Sequence, residues 1–403
     1  MKFCLINRYF WPDESATSLL LTDFAEDLAE KGHDVHVLTS RQLYNHPKAS
    51  LDRFQNWQGI KIHRVFSTSF GRSTFLGRLL DITTYRWALS LQKQSPDAWF
   101  VMTDPPLILE QVVKMRNRSG GKIVHHVDDV YPELAVALGA IPGTGLFGNW
   151  INRRSRNALG ECDKVLALGE CMADVLKKKD VPENRIQITP PWADEKRLTP
   201  LPHKENAFRR ELGFSDQDFV VMYSGNMGKG HRFETILDAA GSLVHEKKIH
   251  FVFIGDGAKK KEIEKFCKKH KLENCRIVPY QPREKLKLSL SAGDIHLISL
   301  DSRVQGLIVP SKLAGILAVG RPVIFVGDSH NSVARAVLRG ECGFVIPREK
   351  NFSTPARQLQ DAVSELYQNS DLRKMFEKNA RHLFEEEYSR EVVVPKIISC
   401  LEN

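Results

Sequence analysis

Short apolar strands alternate with amphipathic helices along almost the whole chain, and the alternation runs twice, broken once by a proline-rich passage. The opening unit sets the pattern. Lys2 to Ile6 reads as a strand, and Leu19, Leu20, Phe24, Leu28 and Ala29 fall at helical spacing between Ser18 and Lys31. Gly32 ends that helix, and His33 to Thr39 reads as the next strand. Strand, helix and strand in this order seed a parallel sheet, because parallel neighbours need a long crossover. Ala98–Met102, Lys122–Val127 and Lys164–Leu168 continue the set. From Ile186 to Pro202 there are four prolines and no hydrophobic period, the mark of a linker. The alternation then restarts with strands at Phe219–Ser224, His250–Ile254, Arg276–Val278, Ile295–Ser299 and Pro322–Phe325. Helices are expected at Glu234–His245 and Lys259–His270.

At 403 residues the chain is too long for one core and suits two. The expected class is α/β, with two Rossmann-like, doubly wound domains facing across a cleft. The boundaries are read as 1–198 and 199–385, with a terminal segment at 386–403. In such sheets ligands bind beyond the carboxyl ends of the strands.

A net charge of +9 favours anionic partners: nucleotide phosphates, lipid headgroups or nucleic acid. Nucleic acid would have to use Lys259 to Lys271, but Glu262 and Glu264 dilute that run, and a solvated helix face is expected. Seven scattered cysteines form no Cys-x-x-Cys pair, so zinc and redox motifs are not indicated and a reducing cytoplasm is. The apolar run Phe3–Ile6 is too short for a signal peptide. Nothing approaches the ~20 apolar residues of a spanning helix, so any membrane contact is expected to be peripheral, at the inner face of the plasma membrane.

Six stretches invite chemistry. The loop Asn7 to Thr17 precedes the first helix, where Ser15 or Thr17 could cap and aim backbone amides at a diphosphate. Tyr223 to Arg232 carries Gly225, Gly228 and Gly230 for close backbone approach, with Lys229 and Arg232 available to a phosphate. In Phe251–Gly257 the glycines are read as serving a turn. Ser302 to Phe325 places Gly306, then Pro310, Ser311 and Lys312 at the start of a helix. His125 to Glu133 puts histidines and carboxylates at a strand end, suited to an acceptor or, with a further ligand, a metal. Arg64 to Lys93 mixes Phe66, Phe70, Phe75, Leu79 and Trp87 with Arg64, Arg72, Arg78 and Arg86. It reads either as a membrane-surface helix or as an ordinary half-buried one.

These residues also carry a resemblance. Pro279–Glu284, Ala292–Leu300, Pro310–Leu313 and Gly320-Arg321-Pro322 resemble glycosyltransferase family 4. Thr103–Pro106 and Asp128–Glu133 are similar to its branch of L-fucosamine (6-deoxy-aminosugar) transferases of O-antigen and colanic-acid assembly. The resemblance implies the GT-B architecture and retaining transfer from a nucleotide sugar, usually UDP-linked, with no cofactor and no essential metal. It implies that Tyr280 and Gln281 meet the base and that Arg303 to Gly306 approach the donor sugar. Ser311 and Lys312 would hold the diphosphate, with Lys229, Arg232, Gly225 and Asn226 beside it. Ser15 and Asp129 would lie near the reacting carbon, and His126, Asp128 and Glu133 toward an acceptor. The acceptor would be glycan, lipid-linked at an anionic membrane. The last helix, about Val392 to Leu401, would return to the first domain. Three departures stand out. Leu307 and Gly315 occupy positions where many members carry glutamates, Ser15-Ala16 replaces a glycine pair, and Asp128 stands where a histidine is frequent. A UDP-sugar 2-epimerase-like enzyme and a non-catalytic partner subunit share the shape and remain alternatives.

Overall fold

A computed structural model describes residues 1–46, 48–71, 75–347 and 353–403. The chain forms two compact units. The first comprises Met1–Thr189, Gly306–Ile308 and Val394–Asn403; the second comprises Pro190–Gln305 and Val309–Val393.

The first unit is built on β1 (Lys2–Ile6), β2 (Asp34–Ser40), β3 (Phe54–Trp57), β4 (Ile60–Val65), β5 (Ala98–Val101), β6 (Lys122–Val127), β7 (Lys164–Ala167) and β8 (Ile186–Ile188). They lie in the order β3-β4-β2-β1-β5-β6-β7-β8, parallel except for the β3–β4 hairpin. Phe3, Cys4, Leu5 and Ile6 of the central strand are wholly buried, as expected where helices cover both faces.

The second unit carries β9 (Phe219–Ser224), β10 (Ile249–Ile254), β11 (Cys275–Val278), β12 (Ile295–Ser299), β13 (Val323–Val326) and β14 (Gly343–Ile346). Their order is β11-β10-β9-β12-β13-β14, all parallel. Counted within the unit this is 3-2-1-4-5-6, the doubly wound dinucleotide-fold order. Alternate residues of β9 enter different layers: Val221 and Tyr223 pack with Phe233 and Phe253, whereas Val220 and Met222 pack with Phe208 and Ile254.

Several elements differ from the sequence expectation. The hairpin β3–β4 was not foreseen; Gln58 and Gly59 both have positive φ, the geometry of a tight two-residue turn. The linker passage begins with a strand, since β8 pairs with β7. The stretch Arg64 to Lys93 is not one helix. Arg64 lies in β4, 2% exposed, with Nη2 donating to Trp11 O at 2.8 Å. The helix runs only from Phe75 to Ser90. Arg72 and the side chain of Phe75 lie outside the described residues.

Candidate active site

The second sheet reverses order between β9 and β12, so a crevice opens at their carboxyl ends. The loop Gly225–Gly230 leaves β9 there, and Leu300–Asp301 leaves β12. Asp301 N–H donates to Gly230 O at 2.9 Å, and His231 Nδ1 lies 2.6 Å from Ser299 O. On the other side the loop after β10 pins the glycines: Gly225 N–H donates to Ile254 O at 2.9 Å and Met227 N–H to Asp256 O at 2.7 Å. Gly255 is more than a turn residue. A Cβ there would sit 2.1 Å from Gly225 O, and its φ of +140° belongs to glycine.

Lys312 stands at the head of the helix Lys312–Ala318. Its Nζ is buried and has no hydrogen-bond partner among the described residues. It lies 3.6 Å from the centroid of the Tyr223 ring and 3.2 Å from where a Cβ on Gly225 would be. Tyr223 is itself fixed, its hydroxyl donating to Asn226 O at 2.8 Å. Burial pushes the Lys312 amine down to about 7. Burial pushes His231 down to about 3. A buried ammonium without an acceptor costs free energy unless an anion completes it.

Arg232 and Arg303 share one carboxylate. Arg232 Nε donates to Asp301 Oδ2 at 2.9 Å, and Arg303 Nη2 to the same oxygen at 3.0 Å. Burial works against the Asp301 charge, but hydrogen bonds from Arg303 and Arg232 hold the carboxyl well below its usual range. Two cations on one anion leave a net positive charge at the crevice. Asn226, Lys229, Tyr280, Arg303 and Ser311 are exposed, Gln281 is half-buried and Pro310 is buried.

In the first unit the order reverses between β1 and β5. Arg8 N–H donates to Asp104 O at 2.8 Å across that point. Ser15 is the N-cap of the helix Ala16–Glu30. Its hydroxyl is buried and unpartnered among the described residues, while its own N–H donates to Asp13 Oδ1 at 2.8 Å. At the end of β6 the Thr103 hydroxyl accepts from Asp128 N–H at 2.8 Å and donates to His126 O at 3.3 Å. Asp129 bridges in antiparallel fashion to Ile308, and Val130 N–H donates to Leu307 O at 2.8 Å. Gly306 precedes that bridge, packed so closely that a Cβ would lie 2.7 Å from Cys171 O.

Asp129, Thr103, Glu110, His125 and Tyr131 line a cavity of about 40 Å³. Burial, with the charges of Asp128 and Asp104 adding to it, raises the Asp129 carboxyl to about 7. Burial lowers His125 to about 4, with Nδ1 2.8 Å from Val101 O. A carboxyl poised near neutrality suits proton transfer.

One acceptor assignment needs correction. His126 is wholly buried, its ring 5.8 Å from that of Phe100, so it cannot touch an acceptor; it lies beneath Asp128, Nδ1 to Oδ1 3.5 Å. Glu133 is paired with Lys179, a 3% exposed lysine that also donates to Asn152 Oδ1 at 3.3 Å. Asp128 keeps a buried Oδ2 with no hydrogen-bond partner among the described residues. Sequence reasoning missed Tyr223, His231, Asp301 and Thr103 as site-building residues. The available signal was register: Ser224 and Ile254 are partners, so the glycines that follow them, Gly225 and Gly255, meet.

Residues 18–197 match the family described as Glycosyltransferase Family 4, and residues 204–383 the family described as Glycosyl transferases group 1. The chain is 24% identical over 349 residues to WcaI of Escherichia coli (strain K12), named as a colanic acid biosynthesis glycosyl transferase, covering 83% of this chain and 85% of that protein. Among solved structures, sucrose-phosphate synthase of Thermosynechococcus elongatus superposes with TM-score 0.77 at 14% identity, covering 99% of this chain and 97% of that one. Anabaena HepE in complex with UDP-glucose superposes with TM-score 0.75 at 13% identity, covering 100% and 99%. Two glycosyltransferase families between them account for most of the sequence, each on its own parallel α/β unit, and the chain is a glycosyltransferase of the GT-B fold.

Proposed function

We propose that this enzyme transfers a sugar, an N-acetyl-aminosugar by resemblance to the L-fucosamine branch, from a UDP-sugar to a lipid-linked glycan in surface polysaccharide synthesis. The observation that carries the donor half is Lys312, a buried amine with no hydrogen-bond partner among the described residues, beside a glycine loop at a sheet's reversal point. That arrangement fits a diphosphate. The UDP-glucose named with HepE and the colanic-acid name of WcaI support the same reading. Transfer is proposed to retain configuration, the departing diphosphate taking the acceptor proton, with no cofactor and no metal. Lys312 and Lys229 would meet the charge growing on that phosphate, and Asp129 would orient the acceptor hydroxyl. Tyr280 and Gln281 remain our assignment for the base.

Thermal unfolding with UDP, GDP, ADP, CMP and dTDP tests this. UDP at about 100 times its dissociation constant should add ~2.7 kcal/mol, with little from the others. No shift from any nucleotide would instead favour the inert-partner alternative. Epimerised donor formed without acceptor would favour the epimerase.

A peripheral membrane location at the inner face is proposed on exposed apolar side chains. Phe66, Phe70, Leu76, Leu79, Leu80 and Trp87 are each at least 45% exposed. Arg78 is exposed beside them, whereas Arg86 is engaged by Glu110. Among the described residues no helix is long and apolar enough to cross a membrane. The protein is expected to sediment with anionic liposomes at low salt and to be released as salt screens the contact. Absence of sedimentation at low salt would sink this part.

A further inference from the structure

Among the described residues Lys312 has neither a counter-charge nor a hydrogen-bond partner. Three neighbouring elements bring titratable groups toward it: β9 offers Tyr223, the loop after β9 offers His231, and β12 offers His296. Tyr280 in turn acts on Tyr223. Both histidines are already committed to carbonyls, His231 to Ser299 O at 2.6 Å and His296 Nε2 to Leu290 O at 2.9 Å. Burial holds both below the ordinary histidine value. Among the described residues no carboxylate offsets the burial of the Lys312 amine. The Tyr223 ring offers its face, worth ~0.5–2 kcal/mol to a cation, but no lone pair for the three N–H groups of an ammonium. Under these conditions the neutral amine is the cheaper occupant.

We infer that Lys312 stands in the empty protein as an uncharged amine and takes up one proton from solvent when a nucleoside diphosphate binds, so that the ligand creates the positive charge that holds it. The inference rests on the donor-site reading above. The nitrogen lone pair accepts H⁺, the phosphate oxygens then accept N–H hydrogen bonds, and no covalent bond forms or breaks. Two consequences follow from linkage. Above pH about 7 the free protein has lost a proton that the complex retains, so affinity for UDP weakens by up to about tenfold per pH unit. The fold has the opposite slope. Because the folded amine lies near 7 and the ordinary value is 10.5, the unfolded chain binds more protons between those limits. Lys312 therefore makes the UDP-free protein more stable as pH rises through that window.

The test is calorimetric titration of the whole chain with UDP at pH 8, in HEPES, Tricine and Tris, whose ionisation enthalpies differ. At that pH a terminal phosphate with a second pKa of about 6 is fully ionised and contributes no proton of its own. The expected result is uptake of about 0.9 proton per UDP bound. Lys312→Arg, charged throughout, should bind UDP with uptake near zero. UDP binding without uptake in the unaltered protein would overturn the inference and leave the donor reading standing. Uptake that survives in Lys312→Arg would also overturn it, moving the proton to another group such as His231. Absence of any UDP binding between pH 6.5 and 9 would overturn the donor reading and this inference together.

Discussion

Lys312→Ala is expected to lower turnover by at least ~100-fold, the scale of losing one donor aimed at developing negative charge. In the proposed reaction charge grows on the phosphate that leaves, and the Lys312 amine is well enclosed to meet it, because its Nζ is buried with no hydrogen-bond partner among the described residues. Low local dielectric makes such a charge worth more than an exposed one. Lys229 makes the contrast. Its side chain is exposed, so Lys229→Ala should lose less. The same substitution at Lys312 should leave the UDP-free fold as stable as before or more so, since it removes a buried nitrogen with no partner. Steady-state turnover at saturating donor, read beside thermal unfolding, separates the two effects. Near-normal turnover in Lys312→Ala would remove this residue from the site.

Asp294→Ala should cost the second unit ~3–5 kcal/mol, the range for breaking a buried ion pair from one side. Arg209 is 1% exposed, and its Nη1 donates to Asp294 Oδ2 at 2.9 Å and to Ala292 O at 2.7 Å. The same carboxylate oxygen accepts Val220 N–H at 2.8 Å, so the pair also ties the start of β9 to the turn before β12. Those two strands frame the crevice at the sheet's reversal point. Removing Asp294 strands a guanidinium in the core and orphans a backbone donor. Arg209→Met combined with Asp294→Leu should recover much of the loss, because two apolar side chains leave no uncompensated charge. Urea unfolding followed by far-ultraviolet circular dichroism measures both. A cost under ~1 kcal/mol for Asp294→Ala would mean that water reaches Arg209 and carries its charge.

Both sheets were largely legible because parallel strands buried on two faces read as plain apolar runs, as Phe219–Ser224 does. The hairpin β3–β4 was not, because Phe54–Trp57 is an edge strand with alternately exposed residues and no apolar run. The three residues of β8 were masked by the prolines that follow. At the site, sequence could nominate Lys229 and Lys312 together but could not rank them. Burial of Lys312 is made by Tyr223 and Gly225, almost ninety residues earlier, and only the fold brings them together. His126 failed for the converse reason. A histidine in an apolar strand looks available until Phe100 is seen against it.

The antiparallel bridge between Asp129 and Ile308 bears on how such enzymes can be recombined. Gly306–Ile308 lie deep in the second half of the sequence yet belong to the first unit. A single crossover in the proline-rich passage, the natural seam for exchanging halves between relatives, therefore does not exchange whole units. It would give Asp129 a foreign backbone partner in place of Ile308. A hybrid meant to keep one parent's acceptor chemistry has to carry that parent's three-residue segment and its terminal Val394–Asn403 stretch as well. In this fold the inheritable module is discontinuous in the gene.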